Sequence, residues 1–264
     1  MTEQYELPEE LRLTRNLIRD FIKNEIVPLE REIPHDSITI PDDDFERLSK
    51  LSKEMGVWCT GVDEEYGGAG LSLFANVVIN EEMVQHAAGL YCPAYGTMGT
   101  PPPEIIWAGS DYLSQKYGVP TVESTKKGWF AITEPSGGSD PARAIQTTAR
   151  RDGDDWIING SKIFISGSPW GDWGIVFART DPKTRRGVTA FVVENDWPGL
   201  TVDPVPVMRA YYPGQLFFDE LRVPSENVLG EVNKGWDLLA NKLLARARTV
   251  SYTHLRAHET DSYL

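Results

Sequence analysis

The apolar positions of this chain change their spacing twice along its 264 residues, and each change limits what can pack against what. Leu11, Leu17, Ile18, Phe21, Ile22 and Ile26 recur at helical intervals and form one stripe. Pro28 is expected to stop that helix, because its ring removes a donor and obstructs the preceding turn. A second helix is expected to open at Pro41, with Asp42, Asp43 and Asp44 at its positive end. Its stripe is Phe45, Leu48, Leu51 and Met55, and Gly56 ends it. Gly67-Gly68-Ala69-Gly70 turns the chain into a third helix over residues 72–88, and a bend at Pro101 to Pro103 precedes shorter helices through Tyr117. Residues 1–126 are therefore expected to form an N-terminal helical domain.

Near Trp129 the period falls to two and β-branched residues gather. Strands are expected over residues 129–133, 144–151, 155–158, 162–166, 174–179, 188–193, 200–202 and 215–221. Asn159-Gly160 reads as a hairpin turn, since both residues tolerate positive φ, and Asp152-Gly153 as another. Short strands at this spacing predict a central antiparallel β-domain over residues 127–230, barrel-like or a sandwich. Trp236, Leu239, Leu243 and Leu244 then restore the helical period. Residues 231–250 are expected to be the first helix of a C-terminal helical bundle, which one helix cannot complete. Residues 251–264 lose the pattern and resemble translated sequencing-adaptor sequence, a non-native tail. The expected class is thus α+β and multidomain.

Asp and Glu number 39 against 26 Lys and Arg, a net charge of −13 that repels polyanions. Neither a nucleic acid nor an anionic membrane is the expected partner. No apolar run reaches the ~18 residues of a membrane span, and the first residues lack the basic-then-apolar pattern of a secretory signal. Cys59 and Cys92 have neither metal-ligand nor disulfide spacing, so they read as reduced thiols of a cytoplasmic protein. His254 and His258 could share a helix face, but no third ligand accompanies them and no metal is expected. His35 and His86 read as surface or packing residues.

The segment Ala131-Ile132-Thr133-Glu134-Pro135-Ser136-Gly137-Gly138-Ser139-Asp140 leaves a strand and enters a glycine-containing loop. Such a loop exposes N–H groups to a phosphate, and Thr133 and Ser139 add hydroxyls. Alone it is equally a polar strand-to-loop turn, and it lacks the spacing of a dinucleotide or Walker loop. Further motifs follow in Asp155-Trp156-Ile157-Ile158-Asn159-Gly160-Ser161-Lys162 and Phe164-Ile165-Ser166. Glu64-Glu65-Tyr66-Gly67-Gly68 precedes them. Phe218-Asp219-Glu220-Leu221-Arg222-Val223-Pro224, Asn227-Val228-Leu229-Gly230 and Gly235-Trp236 complete the set. In this order, from the first helix to about Val250, the chain resembles the acyl-CoA dehydrogenase family of flavoproteins.

The resemblance implies that Phe130, Ile132 and Thr133 face the flavin ring of FAD, with Thr133 donating a hydrogen bond near its reactive edge. It places Ser139 against the FAD pyrophosphate or the CoA part of the substrate. Phe164, Ile165 and Ser166 would cover the ring's other flank. Phe164 stands where the family usually has tryptophan, which keeps stacking and loses the indole N–H. Arg143 replaces a small residue and is expected to pair with a phosphate of FAD or CoA.

The implied chemistry is FAD-dependent α,β-desaturation of an acyl-CoA in fatty acid metabolism and β-oxidation. A carboxylate removes the α-proton as hydride leaves the β-carbon. In most relatives that base lies far along the C-terminal helical domain; in others it sits at the position matching Ala247, beside Arg248. No catalytic residue is assigned, and Glu134 reads as a structural residue of its loop. Expected partners are an acyl-CoA and an external acceptor such as an electron-transfer flavoprotein, with the intact protein a homodimer or homotetramer. The chain as written is expected to retain flavin weakly or not at all and to be inactive. The alternatives are an acyl-CoA oxidase, a same-fold flavin enzyme on another substrate, or a non-catalytic flavin-binding or partner subunit.

Overall fold

The computed structural model describes residues 6–34, 37, 40–86, 96–138, 140–184, 186–208 and 212–239. The chain divides into two compact units between Pro101 and Pro102. In the first, α1 (Glu9–Phe21), a π turn (Ile22–Ile26) and α2 (Val27–Glu32) form one continuous run. Pro28 does not stop the helix as its chemistry suggested. The Val27 N–H reaches back five residues to the Ile22 carbonyl, and this wider turn makes room for a ring that a regular turn would obstruct.

Helix α3 (Asp42–Glu54) has Pro41 at its N-cap and the three aspartates in its first turn. Leu48 is buried with Ile18, Ile22, Ile26 and Ile79, while Phe45, Leu51 and Met55 pack against that cluster. The run ends before Gly56, which takes φ +69°. A side chain at Gly68 would strike the Val62 carbonyl, so the turn that follows needs glycine there. Helix α4 (Leu73–Met83) is capped by Ser72, whose Oγ accepts from Ala75 N at 3.2 Å; such a cap contributes about 1 kcal/mol. It stops at Met83, short of the expected residue 88. Arg19 and the buried Glu82 join α1 to α4, with Arg19 Nε 2.9 Å from Glu82 Oε2.

The second unit opens with a 3₁₀ turn (Glu104–Ala108), α5 (Asp111–Leu113), a π turn (Ser114–Gly118) and α6 (Val119–Val122). Here again a π turn precedes a proline, Pro120, and Val119 N–H bonds to the Ser114 carbonyl. There follow β1 (Gly128–Ala131), α7 (Pro141–Ala144), β2 (Thr148–Asp152), β3 (Asp155–Ile165), β4 (Trp173–Arg179) and β5 (Val188–Glu194). The described elements close with β6 (Leu200–Pro204), β7 (Gly214–Pro224), β8 (Val228–Leu229) and α8 (Gly235–Leu238).

The sheet order is β6-β7-β3-β2-β4-β5-β8, with β1 also beside β4. The pairing is mostly antiparallel, as expected, but β1 and β2 both run parallel to β4. Trp129, Trp156, Ile158, Val176, Phe191 and Leu221 share one core. On the other face of β4, Trp173, Ile175 and Phe177 pack with Ile105, Ile106, Leu113 and Tyr117. Strands β4 and β5 are thereby covered on both sides, and the short helices after Pro101 pack on the sheet.

Two strand expectations are corrected. Asn159-Gly160 is not a hairpin: both flanks pair with the same strand, Ile158 opposite Leu221 and Gly160 opposite Phe218, across a bulge. Gly160 takes φ +144°. The Asn159 side chain accepts from Glu220 N at 2.9 Å and donates to Glu220 Oε1 at 2.6 Å, stitching the bulge instead of turning the chain. The strand expected from residue 144 begins only at Thr148. Residues 141–144 are helical, and the next N–H groups, at Gln146 and Thr147, go to the Glu134 carboxylate.

Candidate functional site

The loop after β1 is built on Glu134. Its backbone bridges Gly137 in both directions, at 3.2 and 3.0 Å. Its carboxylate accepts from Gln146 N at 2.7 Å, Thr147 N at 3.0 Å and Lys162 Nζ at 2.8 Å. Lys162 is fully buried on β3 and donates as well to the Ile132 carbonyl, at 3.2 Å. Burial alone would raise the Glu134 pKa, but the Lys162 charge and the two backbone donors outweigh it and hold the carboxyl below its usual range. Dehydration works against the Lys162 ammonium and, despite Glu134, lowers it to about 8. Thr133 is tied too, its carbonyl accepting from Ile163 N at 3.0 Å.

Phe164 holds φ +59° at a register shift between Lys162 and Ile165. A left-handed backbone is uncommon for an aromatic residue and marks strain that the surrounding sheet maintains. The shift reverses the alternation of the strand. Phe164 is turned outward and is 58% exposed, whereas Ile165 points into the core at 4%. Ile165 can therefore offer an outer ligand its backbone but not its side chain.

Phe130 on β1 is 39% exposed. Ile132 and Thr133 are half-buried, and Ser166 is exposed. Among the described residues, the hydroxyls of Thr133 and Ser166 have no hydrogen-bond partner. Arg143 is exposed on α7 without an ion pair among the described residues. Ser139 lies outside the described residues, as do His35, Cys92, Ala247, Arg248, His254 and His258. His86 packs against Glu30, Nδ1 to Oε1 3.2 Å, and Cys59 is a buried free thiol.

Exposed aromatic rings at Phe130 and Phe164, and hydroxyls at Thr133 and Ser166 that have no partner among the described residues, are groups that suit a flat conjugated ligand whose rim carries acceptors. That chemistry fits a flavin ring, and the buried Lys162–Glu134 pair anchors residues 132–134 to β3. Lys162 is the site residue that sequence reasoning left without a role. Its signal was available, a lysine at an inward-facing position of a strand, where a charge is costly unless paired. Among the described residues no three His, Cys, Asp or Glu side chains are placed to hold a metal ion, and no helix is long and apolar enough to cross a membrane.

The helical unit and the sheet-bearing unit make this an α+β protein. Family comparison gives that class its place. Residues 8–124 match the model described as acyl-CoA dehydrogenase, N-terminal domain, and residues 129–221 match acyl-CoA dehydrogenase, middle domain. The chain belongs to the acyl-CoA dehydrogenase family, FAD-dependent oxidoreductases acting on CH–CH donors.

It is 33% identical over 248 residues to the mitochondrial short-chain specific acyl-CoA dehydrogenase of Rattus norvegicus, covering 91% of this chain and 58% of that protein. It is 35% identical over 257 residues to the 3-(aryl)acrylate reductase of Clostridium sporogenes, covering 94% and 63%. The solved structure of butyryl-CoA dehydrogenase from Megasphaera elsdenii superposes with a TM-score of 0.71 at 30% identity, covering 89% of this chain and 62% of that one. The chain thus spans about three fifths of the length of the relatives it matches.

Proposed function

We propose that the protein acts, in its intact form, as an FAD-dependent dehydrogenase that introduces an α,β double bond into an acyl-CoA thioester. The observation that carries this reading is that Phe130 and Phe164 are exposed and the hydroxyls of Thr133 and Ser166 have no partner among the described residues, on a scaffold of this family. Phe130, Ile132 and Thr133 line one flank of the flavin ring, and Phe164, Ser166 and the Ile165 backbone the other. Ser139 takes the pyrophosphate or the CoA moiety, and Arg143 a phosphate of either. The bound flavin supplies the acceptor for hydride from the substrate's β-carbon.

The protein's own residues orient the ring and exclude water from it. Glu134 does not remove the α-proton, because three donors occupy its carboxylate and it is buried. That task falls to a residue outside the described ones. An external acceptor such as an electron-transfer flavoprotein takes the electrons, and the intact protein assembles as a homodimer or homotetramer. A cytoplasmic location accords with the free thiol at Cys59.

FAD titrated into the purified chain tests this reading. Of weak retention and none, the exposed rings and anchored Thr133 favour the first: weak, saturable perturbation of the flavin's visible bands, with quenching of the tryptophans, is the expected result, and added acyl-CoA leaves the bands unbleached. An unperturbed flavin at saturating protein would overturn the flavin assignment. Bleaching by acyl-CoA that Glu134→Gln abolishes would overturn the exclusion of Glu134 as the base.

A further inference from the structure

Residues 132, 133 and 134 are fixed to β3 by three successive bonds. The Ile132 carbonyl accepts from Lys162 Nζ, the Thr133 carbonyl from Ile163 N, and the Glu134 carboxylate from Lys162 Nζ again. The Thr133 hydroxyl, between two anchored neighbours, has no partner among the described residues. Glu134 extends the anchoring to Gln146 and Thr147, and Thr147 is itself tied to β4 through its carbonyl, which accepts from Arg179 N at 2.7 Å.

A fully buried lysine is an expensive choice for filling this space. Methionine has a similar length and would avoid the dehydration of two charges. What methionine lacks is direction, because an ammonium donates along several fixed lines at once. Here two of those lines end two residues apart, on either side of Thr133.

We infer that Lys162 and Glu134 are a positioning pair for ligand binding: they set the height and rotation of the Ile132–Thr133 segment so that the Thr133 hydroxyl meets the edge of the flavin. This role rests on the flavin reading proposed above. The pair touches no reacting atom. It acts through the Ile132 carbonyl and the Glu134 turn, and its loss misplaces the hydroxyl while leaving the hydroxyl itself intact.

The test compares the chain with Lys162→Met and with the double variant Glu134→Gln, Lys162→Met. The double variant keeps the volumes and removes both charges, so it serves if the single variant does not fold. Val193→Ala, in the same core but on β5, is the control for lost stability alone. FAD affinity and the visible circular dichroism of the bound flavin are read by titration. We expect at least about tenfold weaker FAD binding and an altered flavin dichroism in both Lys162 variants, and affinity within about twofold in Val193→Ala. Unchanged affinity and dichroism in either folded Lys162 variant overturn the positioning role and leave the flavin assignment standing. A flavin left unperturbed by the unsubstituted chain overturns the flavin assignment and the positioning role together.

Discussion

The Tyr117 hydroxyl donates to Glu194 Oε1 at 2.7 Å, joining the π turn ahead of α6 to the last residue of β5. Lys116 Nζ reaches the same oxygen at 3.0 Å, and Asn227 Nδ2 donates to the tyrosine oxygen at 3.1 Å. Burial, then the carboxylate, pushes the Tyr117 phenol up to about 12. Burial works to raise Glu194, but its bonds to Tyr117 and Lys116 prevail and hold it below the usual carboxylate range. Tyr117→Phe removes a buried donor to a charged acceptor and is expected to cost about 2 kcal/mol in urea unfolding. A cycle with Glu194→Gln should return a coupling of about 1 kcal/mol. Additive losses would show that the two residues act separately.

Removing one member of the Lys162–Glu134 pair strands the other charge in the core. Glu134→Gln is expected to destabilise the fold by about 3 kcal/mol, and adding Lys162→Met should recover much of that loss. Chemical denaturation of the three proteins decides it. A double variant no more stable than Glu134→Gln would mean that the glutamate's backbone bonds, not its charge pairing, carry the effect.

Glu134 and Glu194 are both held below the ordinary carboxylate value of 4.5 in the folded chain. Below that value the unfolded chain binds more protons than the folded one. Their stabilisation is therefore present above pH 4.5 and is lost as pH falls through the folded values. Urea midpoints should fall as pH drops below 4.5, and the fall should be shallower in Glu134→Gln.

Phe164 combines a left-handed backbone with a ring that is more than half exposed. Phe164→Gly releases the strain and sacrifices little packing, so stability should hold or rise by up to about 1 kcal/mol. Flavin affinity should fall, because the stacking surface is gone. A clear loss of stability would place the ring in the core, against its exposure.

Gly160 has no room for a side chain. A Cβ there would lie 2.6 Å from Thr147 Oγ1 and 2.7 Å from its Cα. Gly160→Ala should cost about 2 kcal/mol and shift the Thr147 N–H that Glu134 accepts. Faster amide exchange at Thr147, measured by NMR, would register that shift; an unchanged amide would count against it.

Elements whose local chemistry and tertiary setting agree were legible in the sequence. Asp42 to Asp44 mark the start of α3, Ser72 opens α4, and Asp152-Gly153 turns β2 into β3, with Gly153 at φ +65°. The failures occur where a distant partner decides. Asn159-Gly160 carries the chemistry of a turn, yet Glu220, about sixty residues along the chain, uses the asparagine to hold a bulge. Residues 144–147 have strand-like composition, but Glu134 takes the N–H groups a ladder would need. At the candidate site, the outward aromatics were named from motif resemblance. No sequence pattern reveals the one-residue register shift that turns the Ile165 side chain inward. Lys162 went without a role because its partner lies on another element.

The π turns ahead of Pro28 and Pro120 each store one residue more than an α-helical turn requires. Such a residue behaves as an insertion that the helix has absorbed internally instead of expelling into a loop. Every side chain beyond it is rotated by about 100° relative to the turn before. Deleting one residue from Ile22–Ile26 would swing α2 by that angle and confront Pro28 with a regular turn. Replacing the proline alone would leave a surplus residue with no ring to accommodate. Extra residue and proline therefore act as a unit, and chain length in these helices changes without penalty only when both change together.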